Sequence, residues 1–215
     1  MSRRVLDVVV ALVVLALAAP LLVVLAVAVA MTSRGPVLFT SERVGRGGTT
    51  FRLRKLRTMR VTSDGPGVTR RGDARVTRVG RFLRATKLDE LPQLWNVLRG
   101  EMSLVGPRPE DPRYVAGYTP AQRRVLDVRP GLTSPATLLL RDEEAVLLVL
   151  GGDLDATYRS LVLPAKLAID AEYVARATVA SDVVVLLRTA VAIVHRVPVA
   201  EQVAAVRRTA GIMSR

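Results

Sequence analysis

Apolar residues run without a charged interruption from Val8 to Met31, 24 positions, more than the ~20 residues a helix needs to cross a bilayer. Pro20 falls in the middle of the run, where it removes a backbone hydrogen bond and favours a break. Arg3 and Arg4 precede the run, and Arg34, Arg43 and Arg46 follow it. A single-pass helix prefers basic residues on one side only, and a cleaved signal peptide has an apolar core of only about 7–15 residues. The pattern therefore predicts a re-entrant helix-break-helix over residues 1–33, turning near Ala19-Pro20 with both ends on the cytosolic side.

The period changes after this segment. Val37, Phe39, Phe51 and Leu53 alternate with polar neighbours around Gly45–Gly48, which predicts a short β-hairpin. The glycine-rich turn reads more simply as a hairpin turn than as a phosphate cradle. Thr62 to Arg75 is a polar loop, followed by an apolar-periodic helix carrying Leu91, Leu94, Trp95 and Leu98. Further helical runs are expected at Glu143–Leu150, Ala156–Leu163, Lys166–Ala175 and Asp182–His195. The last contains a 12-residue stretch, Val183 to Val194, apolar except for Arg188 and Thr189. That is too short to span; it suits either a membrane interface or a core. The expected fold is α+β and mainly helical: the re-entrant segment, a cytosolic catalytic domain over residues 34–200 with the hairpin, a catalytic helix and C-terminal interfacial helices, and a tail over residues 201–215.

Charge narrows the chemistry. The 215-residue chain carries a net +13, which points to an anionic partner such as nucleic acid, a phospholipid surface or a phosphorylated substrate. Between Thr32 and Glu110 there are 17 Lys and Arg against 7 Asp and Glu, so most of the excess lies in one segment. Cys is absent and His195 is the only histidine. These counts exclude thiolate catalysis and Cys-based zinc sites, and a Ser-His triad would rest on that one residue.

Within the basic segment, Asp89 and Glu90 stand side by side among Arg78, Arg81, Arg84, Lys87, Arg99 and Arg108. Guanidinium forks bind phosphate oxygens, and a carboxylate held among them can attack phosphorus or hold a divalent metal. The same pair suits a helix N-terminus, where acids cap free N–H groups and Thr86-x-x-Asp89 reads as a loose capping box. Both readings stand on the residues alone. Two neighbouring acids fan out from one backbone, however, so a glycosidase pair facing across a sugar is disfavoured. Four Tyr, three Phe and one Trp leave little for base stacking by a membrane-tethered nucleic-acid binder.

The stretches GPVLFTSERVGRGGTTFRLRKLRTM, DARVTRVGRFLRAT and LDELPQLWNVLRGEMSLVGPRPE together resemble the bacterial sugar transferases, the monotopic polyprenyl-phosphate phosphoglycosyl transferases. The resemblance runs from the N-terminal apolar segment to about Arg196. It implies transfer of a sugar 1-phosphate from a UDP-sugar to polyprenyl phosphate, with undecaprenyl phosphate the expected acceptor, at the cytoplasmic face of the bacterial inner membrane and without nucleic acid. It implies Asp89 as nucleophile, Glu90 as Mg²⁺ ligand with Asp89 sharing, and substrate phosphates held by Arg84, Arg108, Lys55, Arg57 and Lys87. A homodimer is compatible with it, as is a catalytically dead assembly scaffold, although the intact acid pair argues against the latter. The chain departs from the family pattern at Ala19, Ala74 and Lys87, where Ser, Pro and a small polar residue are common.

Overall fold

A computed structural model describes residues 2–61, 72–195 and 197–211. The apolar run forms one helix, α1 (Arg3–Thr32), continuous through Pro20. This corrects the expected helix-break-helix: Pro20 removes one hydrogen bond without ending the helix, because the turns on either side keep theirs. α1 is long and apolar enough to cross a membrane. It also belongs to the globular body at both ends. Asp7, 5% exposed, accepts hydrogen bonds from Ser103 Oγ and from the Leu104 amide at 2.9 Å. Arg4 donates to the Val97 and Leu98 carbonyls, and Arg3 pairs with Asp182.

The hairpin forms as its alternation predicts. β1 (Leu38–Val44) pairs antiparallel with β2 (Thr50–Leu56), Leu38 opposite Leu56. The chain then enters α2 (Arg78–Thr86) and α3 (Gln93–Leu98), with a 3-10 turn at Leu88–Glu90 between them. β3 (Ser103–Val105) leads to two short helices, α4 (Pro112–Val115) and α5 (Pro120–Arg123), and then pairs parallel with β4 (Gly131–Thr133). The two strand ends meet closely: a Cβ on Gly131 would lie 2.1 Å from the Gly106 amide nitrogen, and one on Gly106 2.6 Å from the Arg129 carbonyl oxygen, so glycine is required at both positions, the latter just before Pro107-Arg108.

The remainder is helical: α6 (Pro135–Leu139), α7 (Glu143–Leu150), α8 (Leu154–Thr157), a π turn at Tyr158–Val162, α9 (Leu163–Arg176), α10 (Val179–Val194) and α11 (Val199–Thr209). α10 is core on one side: Val185 and Asp182 are buried, while Val183, Val184, Leu187 and Val191 are exposed. The expected tail over 201–215 is corrected in part. α11 buries Gln202, Val203, Ala205 and Val206 against the C-terminal helices, since its apolar positions recur at helical spacing.

Three buried clusters hold the body together. The largest joins Tyr114, Tyr118, Val146, Val162 and Val206. A second joins Ala11 of α1 to Leu94, Val97, Met102, Leu104 and Val185, and a third joins Leu25 and Val29 of α1 to Leu56 and Leu83. Both halves of α1 thus contribute core side chains. Of the polar loop, Thr62 to Arg71 lies outside the described residues; Asp73 and Arg75 pair with each other at 2.7 Å and close its end.

Candidate active site

A cavity of about 640 Å³ opens between the hairpin, the α2–α3 junction and the C-terminal helices. Lys55, Arg84, Lys87, Asp89, Glu90 and Arg108 all line it. The backbone explains why they converge. α2 approaches the chain at Thr58 so closely that a Cβ on Gly80 would lie 2.0 Å from the Thr58 carbonyl oxygen, and this contact sets Arg84 Nε 3.2 Å from Thr58 Oγ1. α2 ends at Lys87 in the left-handed conformation, φ 60°, the one non-glycine residue with positive φ among those described. A side chain there costs about 1–2 kcal/mol. The turn it makes delivers Asp89 and Glu90 to the cavity instead of extending the helix.

Neither acid caps a helix. Thr86 Oγ1 donates to the Phe82 and Leu83 carbonyls, so the expected capping box does not form. Asp89 is 5% exposed, and its Oδ1 is buried with no hydrogen-bond partner among the described residues. Desolvation, then the neighbouring Glu90, push its pKa above the ordinary aspartate value, partly offset by Lys55, Lys87 and Arg84. Glu90 faces Arg108 at 2.6 and 3.3 Å in a two-pronged pair. Burial alone would raise its pKa, but Arg108, with help from Lys87 and Lys55, outweighs burial and brings it to about 2. Burial lowers the pKa of Lys55 against the attraction of both acids.

Arg84 Nη1 bonds Glu144 Oε1 across the cavity at 2.8 Å. Arg57 is placed elsewhere than the sequence reading put it. Buried at 4% exposure, it donates to the Ser33 and Arg34 carbonyls at 2.6 and 2.9 Å and does not line the cavity. It fastens the exit of α1 to the end of β2. Behind Arg108, Glu110 is buried and accepts from Tyr158 Oη at 2.7 Å and Lys166 Nζ at 2.9 Å, and Lys166 also reaches Glu143 at 2.9 Å. This network anchors the Pro107–Glu110 loop to α7 and α9. Its members are up to 56 residues apart, and no spacing signal joins them. The Gly45–Gly48 turn does not line the cavity.

For a divalent cation, the described residues contain no group of three or more acidic or histidine ligands. Mg²⁺ is commonly held by one or two carboxylates plus substrate phosphates. The orphaned Asp89 oxygen fits that requirement, whereas both Glu90 oxygens already face Arg108.

Buried Asp89 thus sits in a cavity lined by arginine and lysine, in a body joined to a helix long and apolar enough to cross a membrane. The family profile described as bacterial sugar transferase matches residues 1–196, and the chain belongs to that family. Among curated relatives, it is 52% identical over 141 residues to the UDP-glucose:undecaprenyl-phosphate glucose-1-phosphate transferase of Caulobacter vibrioides, covering 63% of this chain and 53% of that protein. It is 40% identical over 142 residues to the UDP-N-acetylgalactosamine-undecaprenyl-phosphate N-acetylgalactosaminephosphotransferase of Aeromonas hydrophila, covering 64% of this chain and 34% of the relative. The chain thus spans between about a third and a half of the length of these relatives.

Proposed function

We propose that this protein transfers a sugar 1-phosphate from a UDP-sugar to a polyprenyl phosphate, with undecaprenyl phosphate the acceptor that the relatives' names suggest. The carrying observation is the buried Asp89 Oδ1, without a partner among the described residues, in a cavity where Lys55, Arg84, Lys87 and Arg108 lie around it. An unsatisfied buried carboxylate costs stability, and so does the raised pKa. A nucleophile needs the opposite of a satisfied salt bridge, namely an oxygen left free to form a bond.

In this reading an Asp89 oxygen attacks the β-phosphorus of the donor. An O–P bond forms, the bond from that phosphorus to the bridging oxygen breaks, and UMP leaves with the electron pair. A phosphate oxygen of the acceptor then attacks the same phosphorus and releases Asp89, giving a polyprenyl diphosphate sugar. Both substrates are anionic, so Lys55, Lys87, Arg84 and Arg108 must screen the approach of each to the carboxylate. Arg84 and Arg108 exchange carboxylate partners for phosphate oxygens as the donor enters. Asp89, joined by Glu90 once Arg108 has turned to phosphate, would hold Mg²⁺, which neutralises non-bridging oxygens when bound.

We further propose that α1, continuous through Pro20, lies against the cytoplasmic face of the inner membrane with both of its ends on that side. Arg3, Arg4 and Asp7 at its start and Ser33 and Arg34 at its end are bonded to the same globular body. Both ends of this continuous helix thus touch one body, whereas a helix crossing the bilayer away from that body would carry one end out of its reach. The exposed Val183, Val184, Leu187 and Val191 of α10 suit contact with phospholipid.

The test is UMP release across a panel of UDP-sugars with undecaprenyl phosphate and Mg²⁺, together with intact-mass detection of a phosphosugar adduct. Release and an adduct that the acceptor discharges are expected. Strong salt-dependent duplex DNA binding with no UMP release would replace this reading by nucleic-acid binding.

A further inference from the structure

Residues 197–211 lie beyond the stretch that the family profile matches, yet they help build the cavity. Val197, Pro198, Val199 and Gln202 line it, while Val203 and Val206 are sunk into the largest core cluster. Gln202 is 2% exposed with both ends of its amide in use: Oε1 accepts from the Asp142 amide at 3.1 Å, and Nε2 donates to the Val197 carbonyl at 2.9 Å. It therefore ties the N-terminal cap of α7 to the segment entering α11. The first turn of α7 brings Glu143 and Glu144 to the cavity, Glu143 bonded to Lys166 and Glu144 to Arg84. The basic residues around Asp89, whose buried Oδ1 has no partner among the described residues, line the same cavity.

The cavity thus has a cationic wall and a carboxylate wall. Phosphates go to the first and are repelled by the second. What can lie against carboxylates is an uncharged group rich in hydroxyl donors, because an ionised carboxylate only accepts hydrogen bonds. A UDP-sugar has two such parts, the ribose and the sugar. The sugar is bonded to the phosphorus that Asp89 attacks, and Glu144 is joined directly to Arg84, whose charge acts on Asp89. The direct link between Glu144 and Arg84, which lines the cavity with Asp89, favours the sugar over the nucleoside as the part that meets this wall.

We propose that the α7–α11 wall is the sugar-recognising side of the donor site: Glu143 and Glu144 accept hydrogen bonds from the hydroxyls of an uncharged sugar, and Gln202 is the positioning residue that holds them there. This rests on the donor chemistry given above. The wall discriminates against sugars that carry their own carboxylate, since like charges would meet there.

The experiment uses the full chain in detergent with undecaprenyl phosphate and Mg²⁺. kcat/KM is measured for UDP-glucose, UDP-N-acetylgalactosamine and UDP-glucuronate, and the inhibition constant for UMP, which lacks the sugar. Glu144→Gln and Gln202→Met, the latter keeping side-chain length and packing, are compared with wild type. For the best uncharged sugar each variant is expected to lose roughly 10-fold in kcat/KM, on the order of one charge-assisted hydrogen bond. The preference for it over UDP-glucuronate should narrow by a similar factor, and UMP inhibition should stay within about twofold. Unchanged sugar preference in folded Glu144→Gln overturns the proposal even where Gln202→Met fails to fold. Weakened UMP inhibition in step with the sugar nucleotides assigns the wall to the nucleotide instead. No UMP release by wild type from any donor is a different failure, that of the donor chemistry itself.

Discussion

At the scale of single residues, the site keeps one carboxylate satisfied and its neighbour unsatisfied. Glu90 has Arg108, while Asp89 has an oxygen with no partner among the described residues. Asp89→Asn should abolish the phosphosugar adduct and turnover, and an adduct still seen by intact mass would remove Asp89 as nucleophile. The same substitution carries a stability prediction. The folded pKa of Asp89 is raised, so its favourable contribution is fully present below the unfolded value of 3.8 and is lost as pH rises through the folded value. At neutral pH the Asn variant should therefore melt at or above wild type, the gap closing towards pH 4; melting well below wild type at pH 7 would contradict the burial argument. Arg108→Ala should reduce kcat/KM roughly 10–1000-fold and leave Glu90 buried without its partner. Arg57→Ala should differ in kind. Losing its bonds to the Ser33 and Arg34 carbonyls should lower stability by about 1–3 kcal/mol with UMP inhibition unaltered, and a shift in that inhibition would return Arg57 to the substrate. Nothing in Lys55-Leu56-Arg57 distinguishes the residue that faces the cavity from the one that clamps a helix end. The three-dimensional placement of Ser33 makes that distinction.

At the scale of elements, the periodicity of the chain was a good guide where one face of a segment is buried and a poor one where the backbone turns. The hairpin and α7 fall where alternation and helical spacing place them. A helix does start within a few residues of the acid pair, α3 at Gln93, but the left-handed Lys87 and the 3-10 turn after it carry the pair, and neither acid caps that helix. In α1, Pro20 leaves the helix continuous, while bonds at both ends hold it to one body. Cys residues placed singly at Ser2 and Ser33, in a chain with no native Cys, should both resist a membrane-impermeant thiol reagent in intact cells and react after permeabilisation. Labelling of the Ser2 position from outside would establish a spanning helix. Pro20→Leu restores one hydrogen bond in a helix that is already continuous, so it should leave labelling and activity unchanged; labelling of the Ser2 position from outside in this variant would make Pro20 a determinant of topology.

At the scale of the whole molecule, α1 and the residues that follow it share one packed core. Ala11, Leu25 and Val29 are core residues, and Asp7 bonds the amide of Leu104. Removing residues 1–33 should strip apolar cover from two of the three clusters and leave Asp182 without Arg3. The truncated chain is expected to aggregate or to melt far below wild type in detergent, and a stable, cooperatively folding truncation would refute the shared core. The sequence by itself determined the apolar segment, the mainly helical character, the basic field and the acid pair at its centre, since each of these is a local pattern of neighbouring residues. The tertiary structure alone decided which arginine faces the cavity, that one carboxylate oxygen is left unpaired, that Lys166 and Tyr158 anchor the loop bearing Arg108, and that α11 walls the site. Those depend on contacts between residues far apart in the chain, where burial and pairing are properties of the packed molecule and no periodicity reports them.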